Sequence, residues 1–121
     1  ITMLGYQPNL QELLVQADFG VLPAAWREPF GISNLEYMML GKAHIATNNG
    51  GQVEYLQNEK NALLVNPSDF SELAAAIKRL IDDPALRHSI GAQAQADFNS
   101  RLSYEHFYSQ IIDLYTGLYT K

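Results

Sequence analysis

An α/β fold built on a parallel sheet is what the sequence predicts, and three observations predict it. Short apolar runs end at turn residues, segments of helical spacing separate those runs, and one loop passes from a strand directly into a helix. Residues 1–4 (I-T-M-L) read as the first strand. Residues 5–9 then turn into a helix in which Leu10, Leu13 and Leu14 recur at the right interval. Residues 19–23 (F-G-V-L-P) are apolar and stop at a proline, as a buried parallel strand does. Ile32, Leu35, Met39 and Leu40 mark the next helix, and Gly41 stands where a left-handed residue would end it. A third strand is expected at 43–47, a short helix near 53–56 and a fourth strand at 62–65. Asp69 with Glu72 three positions on has the pattern of a capping box, opening a helix through Leu73, Ala76, Ile77 and Leu80 that stops before Pro84. Residues 85–98 make a mostly polar helix. The last helix, with Leu102, Tyr104, Phe107, Tyr108, Ile111, Ile112, Tyr115, Leu118 and Tyr119, has a broad apolar side that core packing would account for.

Length and composition narrow the possibilities. A chain of 121 residues is one domain, large enough for a core and small for an enzyme with two substrates. With a net charge of -5 and scattered Lys and Arg, it offers no basic stripe for nucleic acid. No cysteine is present, so disulfides and thiolate metal sites are excluded, which fits a reducing cytoplasm. No apolar run approaches the ~20 residues that span a bilayer, and no basic stretch leads into an apolar one. The chain starts at Ile1 and reads as a soluble, truncated segment.

The loop from Glu28 to Gly31 ends at a helix N-terminus on the carboxyl edge of the sheet. Free amides and the helix dipole favour phosphate there, and open parallel sheets bind ligands at that edge. Glu36 lies five residues beyond Gly31, about 7 Å along the axis at about 1.5 Å per residue. Glu28 and Glu36 therefore cannot crowd one atom. Each is placed to accept hydrogen bonds from hydroxyls on opposite sides of a bound diphosphate, one on a sugar and one on a ribose. Gly31 lets backbone approach a ligand, and the Phe30 ring would cover the polar site.

These residues, E-P-F-G-I-S-N-L-E, resemble the Glu-[Pro/Ser]-Phe-Gly-[Leu/Ile] motif, with a second Glu after seven intervening residues, of the retaining "group 1" glycosyltransferases of GT-B fold. The resemblance runs along most of the chain, through G-Y-Q-P-N-L-Q-E-L-L, L-G-K-A-H-I-A-T-N-N-G-G-Q-V-E-Y-L and N-A-L-L-V-N-P-S-D-F-S-E-L-A-A-A-I. It implies a Rossmann-like parallel sheet with flanking helices, residues 1–121 forming the later part of a C-terminal nucleotide-sugar-binding domain. The acceptor domain and the opening strands, with their basic diphosphate-gripping pair, would be absent.

The implied reaction is a hexosyl transfer from a nucleotide-diphosphate sugar to an acceptor hydroxyl with retention, and the chain alone would be inactive. Glu28 would hold the donor sugar as the catalytic carboxylate. Phe30, Gly31 and Ile32 would offer backbone N–H groups, Glu36 would bind the ribose, and Ser33, Gly50, Gly51 and Glu54 would line the site. No metal or resident cofactor is implied, and the enzyme would be cytoplasmic or peripheral at the membrane. In the usual strand order 3-2-1-4-5-6 the four strands would be 3, 4, 5 and 6, leaving a gap. That gap implies disorder or rearrangement of the first strand, pairing of exposed strand edges with a second chain, or membership of a larger polypeptide. The extra tyrosines of the last helix could also belong to a contact with the partner domain, and some would then be exposed.

Simpler readings stand beside these. Glu36 could be a solvated helix residue, Glu28 a turn residue paired with Arg27, Trp26 a packing residue, and Gly50-Gly51 a turn signal. Lys42-Ala43-His44, where the family has Lys-Pro-[Val/Ile], reads as strand-entry variation without chemistry. Among other classes, a non-catalytic binding or assembly module is the nearest alternative. A receiver domain lacks its acidic residues, since Gly5 and Tyr6 follow the first strand and Asn48 the third. A dinucleotide oxidoreductase lacks G-x-G-x-x-G.

Overall fold

Val21, Ile45 and Leu63 lie side by side at the centre of the molecule, on three short strands whose apolar sequences suit burial from both faces. The computed structural model describes residues 1–119. In it, β1 (Gly20–Leu22), β2 (His44–Thr47) and β3 (Leu63–Val65) pair in parallel in the order β1-β2-β3. All four residues of β2 are buried. Helix α1 (Leu10–Gln16) precedes the sheet, α2 (Ile32–Met39) joins β1 to β2, and a 3-10 turn (Gly51–Glu54) lies between β2 and β3. Then follow α3 (Phe70–Asp82), α4 (Pro84–Asp97), a π-type turn (Phe98–Leu102) and α5 (Tyr104–Tyr119). The expected parallel sheet with flanking helices is therefore present.

Successive strand residues point to opposite faces, and the core divides accordingly. Ile45 and Leu63 pack with Ala76 and Leu80 of α3 and Ile90 of α4. Ala46 packs with Met38 of α2, Tyr55, Leu56 and Ala94 of α4. Gly91 brings α4 against the turn after α2, where an added Cβ would fall 2.2 Å from the Gly41 carbonyl oxygen. Gly41 adopts the left-handed conformation its position predicts, with φ of 64°. Lys42 Nζ donates to the carbonyls of Val15 (2.7 Å) and Ala17 (2.8 Å), tying the end of α1 to the entry of β2.

Several expectations are corrected. Residues 1–4 form no strand, and Ile1, Met3 and Leu4 are exposed. A strand holds its shape through ladder bonds, and among the described residues β1 pairs with β2 alone. The short helix expected near 53–56 is the 3-10 turn at Gly51–Glu54. Asp69 caps α3 as expected, accepting from Glu72 N at 2.9 Å, but Glu72 completes no box with the cap residue and instead accepts from Asn66 N at 2.7 Å. A second cap opens α4, where Asp83 accepts from Leu86 N at 2.9 Å and Pro84 takes the first helical position.

The largest correction concerns α5. None of its residues is buried, and Tyr104, Phe107, Tyr108, Ile112, Tyr115, Leu118 and Tyr119 are exposed. Core packing does not account for that stripe. Leu102, in the π-type turn, reaches the core, and beyond it the helix leaves the body of the fold.

Candidate functional site

The strands end at one edge, and two loops meet there. After Leu22 the chain runs through residues 23–31 into α2, and after Thr47 it runs through Asn48, Asn49 and Gly50 into the 3-10 turn. Their backbones touch. Gly51 N donates to the Glu28 carbonyl at 2.9 Å, and Asn49 Nδ2 donates to the Trp26 carbonyl at 3.0 Å. Added Cβ atoms at Gly50 and Gly51 would fall 2.1 Å from the Glu28 carbonyl oxygen and 2.0 Å from that of Pro29. Side chains at either position would force the loops apart.

A buried polar network lies beneath this junction. Thr47 Oγ1 donates to the Ala24 carbonyl at 2.9 Å. Gln52 Nε2 donates to the Thr47 carbonyl at 2.6 Å, while Gln52 Oε1 accepts from Asn34 Nδ2 at 2.8 Å. Asn34, Thr47 and Gln52 are all buried. The Tyr55 hydroxyl donates to the Phe30 carbonyl and lies 3.2 Å from that of Gly31, and the Tyr55 and Phe30 rings are 5.2 Å apart. Burial pushes the Tyr55 hydroxyl up to about 12, so it remains a donor at neutral pH. Asn34 Oδ1 and His44 Nε2 are the buried side-chain atoms among the described residues with no direct hydrogen-bond partner.

Glu28 sits at the mouth of α2, half-buried. Its Oε1 accepts from Gly31 N at 3.1 Å and its Oε2 from Trp26 Nε1 at 3.1 Å. A carboxylate thus already occupies part of the helix's positive end. Gly31, with φ of 78°, is the cap residue, and the next amides, of Ile32 and Ser33, donate to no other described backbone group. Phe30 and Ile32 are exposed, and Ser33 is half-buried. Glu36, one turn on and half-buried, lines a cavity of about 350 Å³ with Pro8, Asn9, Leu10, Gln11 and Glu12. Glu54 is exposed on the 3-10 turn. The structure therefore gathers Glu28, Phe30, Gly31, Gly50 and Gly51 at one junction, continues them with Ile32 and Ser33, and sets Glu36 apart against the start of α1.

Two of the simpler readings do not hold. Trp26 is exposed and hydrogen-bonds Glu28 rather than packing in the core. The ion pairs among the described residues are Lys78–Asp82 and Arg79–Glu59, with no pair between Arg27 and Glu28. Sequence reasoning did not single out Asn34, Thr47, Gln52 or Tyr55. One signal was available, because Asn34 lies four residues before Met38 and so falls on the buried stripe of α2. Among the described residues no cluster of three or more His, Asp or Glu side chains is placed to hold a metal ion, and no helix is long and apolar enough to cross a membrane.

Residues 1–97 match the protein family described as glycosyl transferases group 1. Over 115 residues the chain is 33% identical to the lipopolysaccharide core biosynthesis glycosyltransferase LpsD of Rhizobium meliloti (strain 1021), covering 95% of this chain and 33% of that protein. It superposes on Anabaena Alr3699/HepE in complex with UDP with a TM-score of 0.90 at 28% identity, covering 94% of this chain and 31% of the other. The same protein in complex with UDP-glucose gives a TM-score of 0.88 at 28% identity, again over 94% of this chain and 31% of the other. The chain thus spans about a third of the length of these proteins.

Proposed function

The chain belongs to the group 1 glycosyl transferases, and from that premise we propose that it is the donor-binding part of a retaining enzyme, the later portion of a C-terminal domain of GT-B type. It binds a nucleotide-diphosphate sugar and, with an acceptor domain supplied by the remaining polypeptide, takes part in transferring the sugar to an acceptor hydroxyl. The observation that carries this reading is the mouth of α2, where Glu28 stands beside the uncommitted amides of Ile32 and Ser33 at the carboxyl edge of a parallel sheet. The structural neighbour's complexes with UDP and UDP-glucose support the ligand class.

The residues divide the work by their chemistry. Gly31 N is committed to Glu28, so the diphosphate falls to the amides of Ile32 and Ser33 and to the helix dipole. Each Glu28 oxygen accepts one hydrogen bond within the chain, and each carboxylate oxygen has room for about two. The remaining positions receive donor-sugar hydroxyls, which places this carboxylate at the reacting end. Glu36, across the cavity shared with residues 8–12, accepts from the ribose. Phe30 and the Gly50-Gly51 junction close the sugar side. The bond from the anomeric carbon to the nucleoside diphosphate breaks, and the leaving diphosphate is stabilised electrostatically, without a metal or a resident cofactor. The acceptor hydroxyl attacks the same face of the oxocarbenium-like sugar while its proton passes to the departing diphosphate oxygen. The enzyme works in the cytoplasm, free or peripheral to the membrane.

Calorimetric titration with UDP-glucose and other nucleotide sugars tests the reading. The expected result is saturable binding of at least one donor, displaced by its nucleoside diphosphate. No binding of any donor by the full polypeptide carrying this sequence would overturn it. Binding by that polypeptide without transfer or hydrolysis would favour a non-catalytic nucleotide-sugar-binding or assembly module.

A further inference from the structure

We propose that Tyr55 is a positioning residue for the donor diphosphate, acting through the two peptide planes that lead into α2; the inference rests on the donor-binding reading above. Tyr55 is 3% exposed, and its hydroxyl donates to the Phe30 carbonyl and lies 3.2 Å from the Gly31 carbonyl. A trans peptide group is planar, with its N–H opposed to its C=O. Holding the Phe30 carbonyl inward therefore turns the Gly31 N–H outward, where it meets Glu28 Oε1 at 3.1 Å. Holding the Gly31 carbonyl, which Asn34 N also reaches at 2.9 Å, turns the Ile32 N–H outward as well. One buried hydroxyl thus aims both the amide that orients Glu28 and the amide that faces the ligand.

Tyr55 is itself fixed. Its ring packs against Phe30 at 5.2 Å, and its carbonyl accepts from Asn61 Nδ2 at 3.0 Å. Gln52 anchors the preceding turn to Thr47 at 2.6 Å and to Asn34 at 2.8 Å. A phenylalanine would fill the same space and keep the ring contact, so the hydroxyl can be removed separately from the packing.

The test compares wild type with Tyr55→Phe in the full polypeptide carrying this sequence, using UDP, UDP-glucose and phosphate-free uridine as probes, with thermal unfolding measured alongside. UDP affinity is expected to fall about 5- to 10-fold, the change one hydrogen bond produces. Uridine affinity stays as in wild type, because no phosphate meets the displaced amides. Unchanged UDP affinity would overturn the inference and leave the donor-binding reading standing. Parallel losses for UDP and uridine, tracking a lower unfolding midpoint, would show a merely structural role and also overturn it. A wild type that binds neither UDP nor UDP-glucose would sink the donor-binding reading itself, and the inference with it.

Discussion

The main-chain oxygen of Glu28 occupies the space that a side chain on Gly50 would need, with an ideal Cβ there falling 2.1 Å away. Gly50 also has φ of 67° and ψ of -160°, a region open essentially to glycine alone. Gly50→Ala is therefore expected to lower stability by about 2–4 kcal/mol, combining backbone strain with a clash against rigid main chain. Denaturant unfolding checks this, and an unchanged midpoint would mean that the two loops have slack the structure does not show.

Glu36 is predicted to matter for the ligand rather than the fold. Half-buried, it faces the cavity it shares with Pro8, Asn9 and Glu12. Glu36→Ala should weaken donor binding by about 1.5–3 kcal/mol, the range for a hydrogen bond to a charged group, which is roughly 10- to 150-fold in Kd. Calorimetry with UDP-glucose reads the change directly. Equal affinity in the variant would remove Glu36 from the ribose.

His44 predicts a pH dependence of stability. The ring is fully buried, 5.7 Å from Tyr37, with Nε2 unpartnered, and burial lowers its pKa from 6.5 to about 4. Between those values the unfolded chain binds a proton that the folded chain refuses. His44 therefore imposes no acid penalty above pH 6.5, and stability falls as pH drops from about 6.5 towards 4, by on the order of 3 kcal/mol. Unfolding curves across that range should show the slope, and His44→Leu should flatten it. A variant with the same slope as wild type would assign the effect elsewhere.

Asn61 is predicted to be a structural hub. Wholly buried, it donates to the Tyr55 carbonyl at 3.0 Å and to Asp97 Oδ2 at 2.8 Å, and accepts from Gln57 N at 2.7 Å. Asn61→Ala would strand the buried Tyr55 carbonyl and strip Gln57 N and the half-buried Asp97 carboxylate of their bonds, at a cost of about 2–4 kcal/mol. Thermal or denaturant unfolding would show it, and a loss below about 0.5 kcal/mol, the scale of a neutral surface change, would mean the partners rebind elsewhere.

Much of the framework was legible in advance, wherever the signal was local. Val21-Leu22 before Pro23, the left-handed Gly41 after the apolar spacing of α2, and Asp69 capping α3 are patterns within a few residues, and each element stands close to its expected place. Residues 1–4 carried an equally apolar signal and formed no strand, because a strand depends on a neighbour that periodicity does not report. The apolar side of α5 misled only as a core signal, since exposed tyrosines are what a contact with a partner domain would leave. Tyr108 and Tyr115 were patterned for burial, yet both are exposed, and the ring that Tyr108 meets is that of Tyr104 on its own helix.

What this sequence determined by itself was a series of strands and helices, the turns that end them, and a Glu28-to-Gly31 loop delivered to a helix N-terminus. Tertiary structure alone decided which side chains that loop would meet. Parallel strands return the chain to the same edge only after a crossover, so Tyr55 reaches Phe30 across 25 positions and Gln52 reaches Asn34 across 18. Periodicity and capping act within a turn or two of backbone, whereas these contacts exist only once β1 and β2 have paired in register.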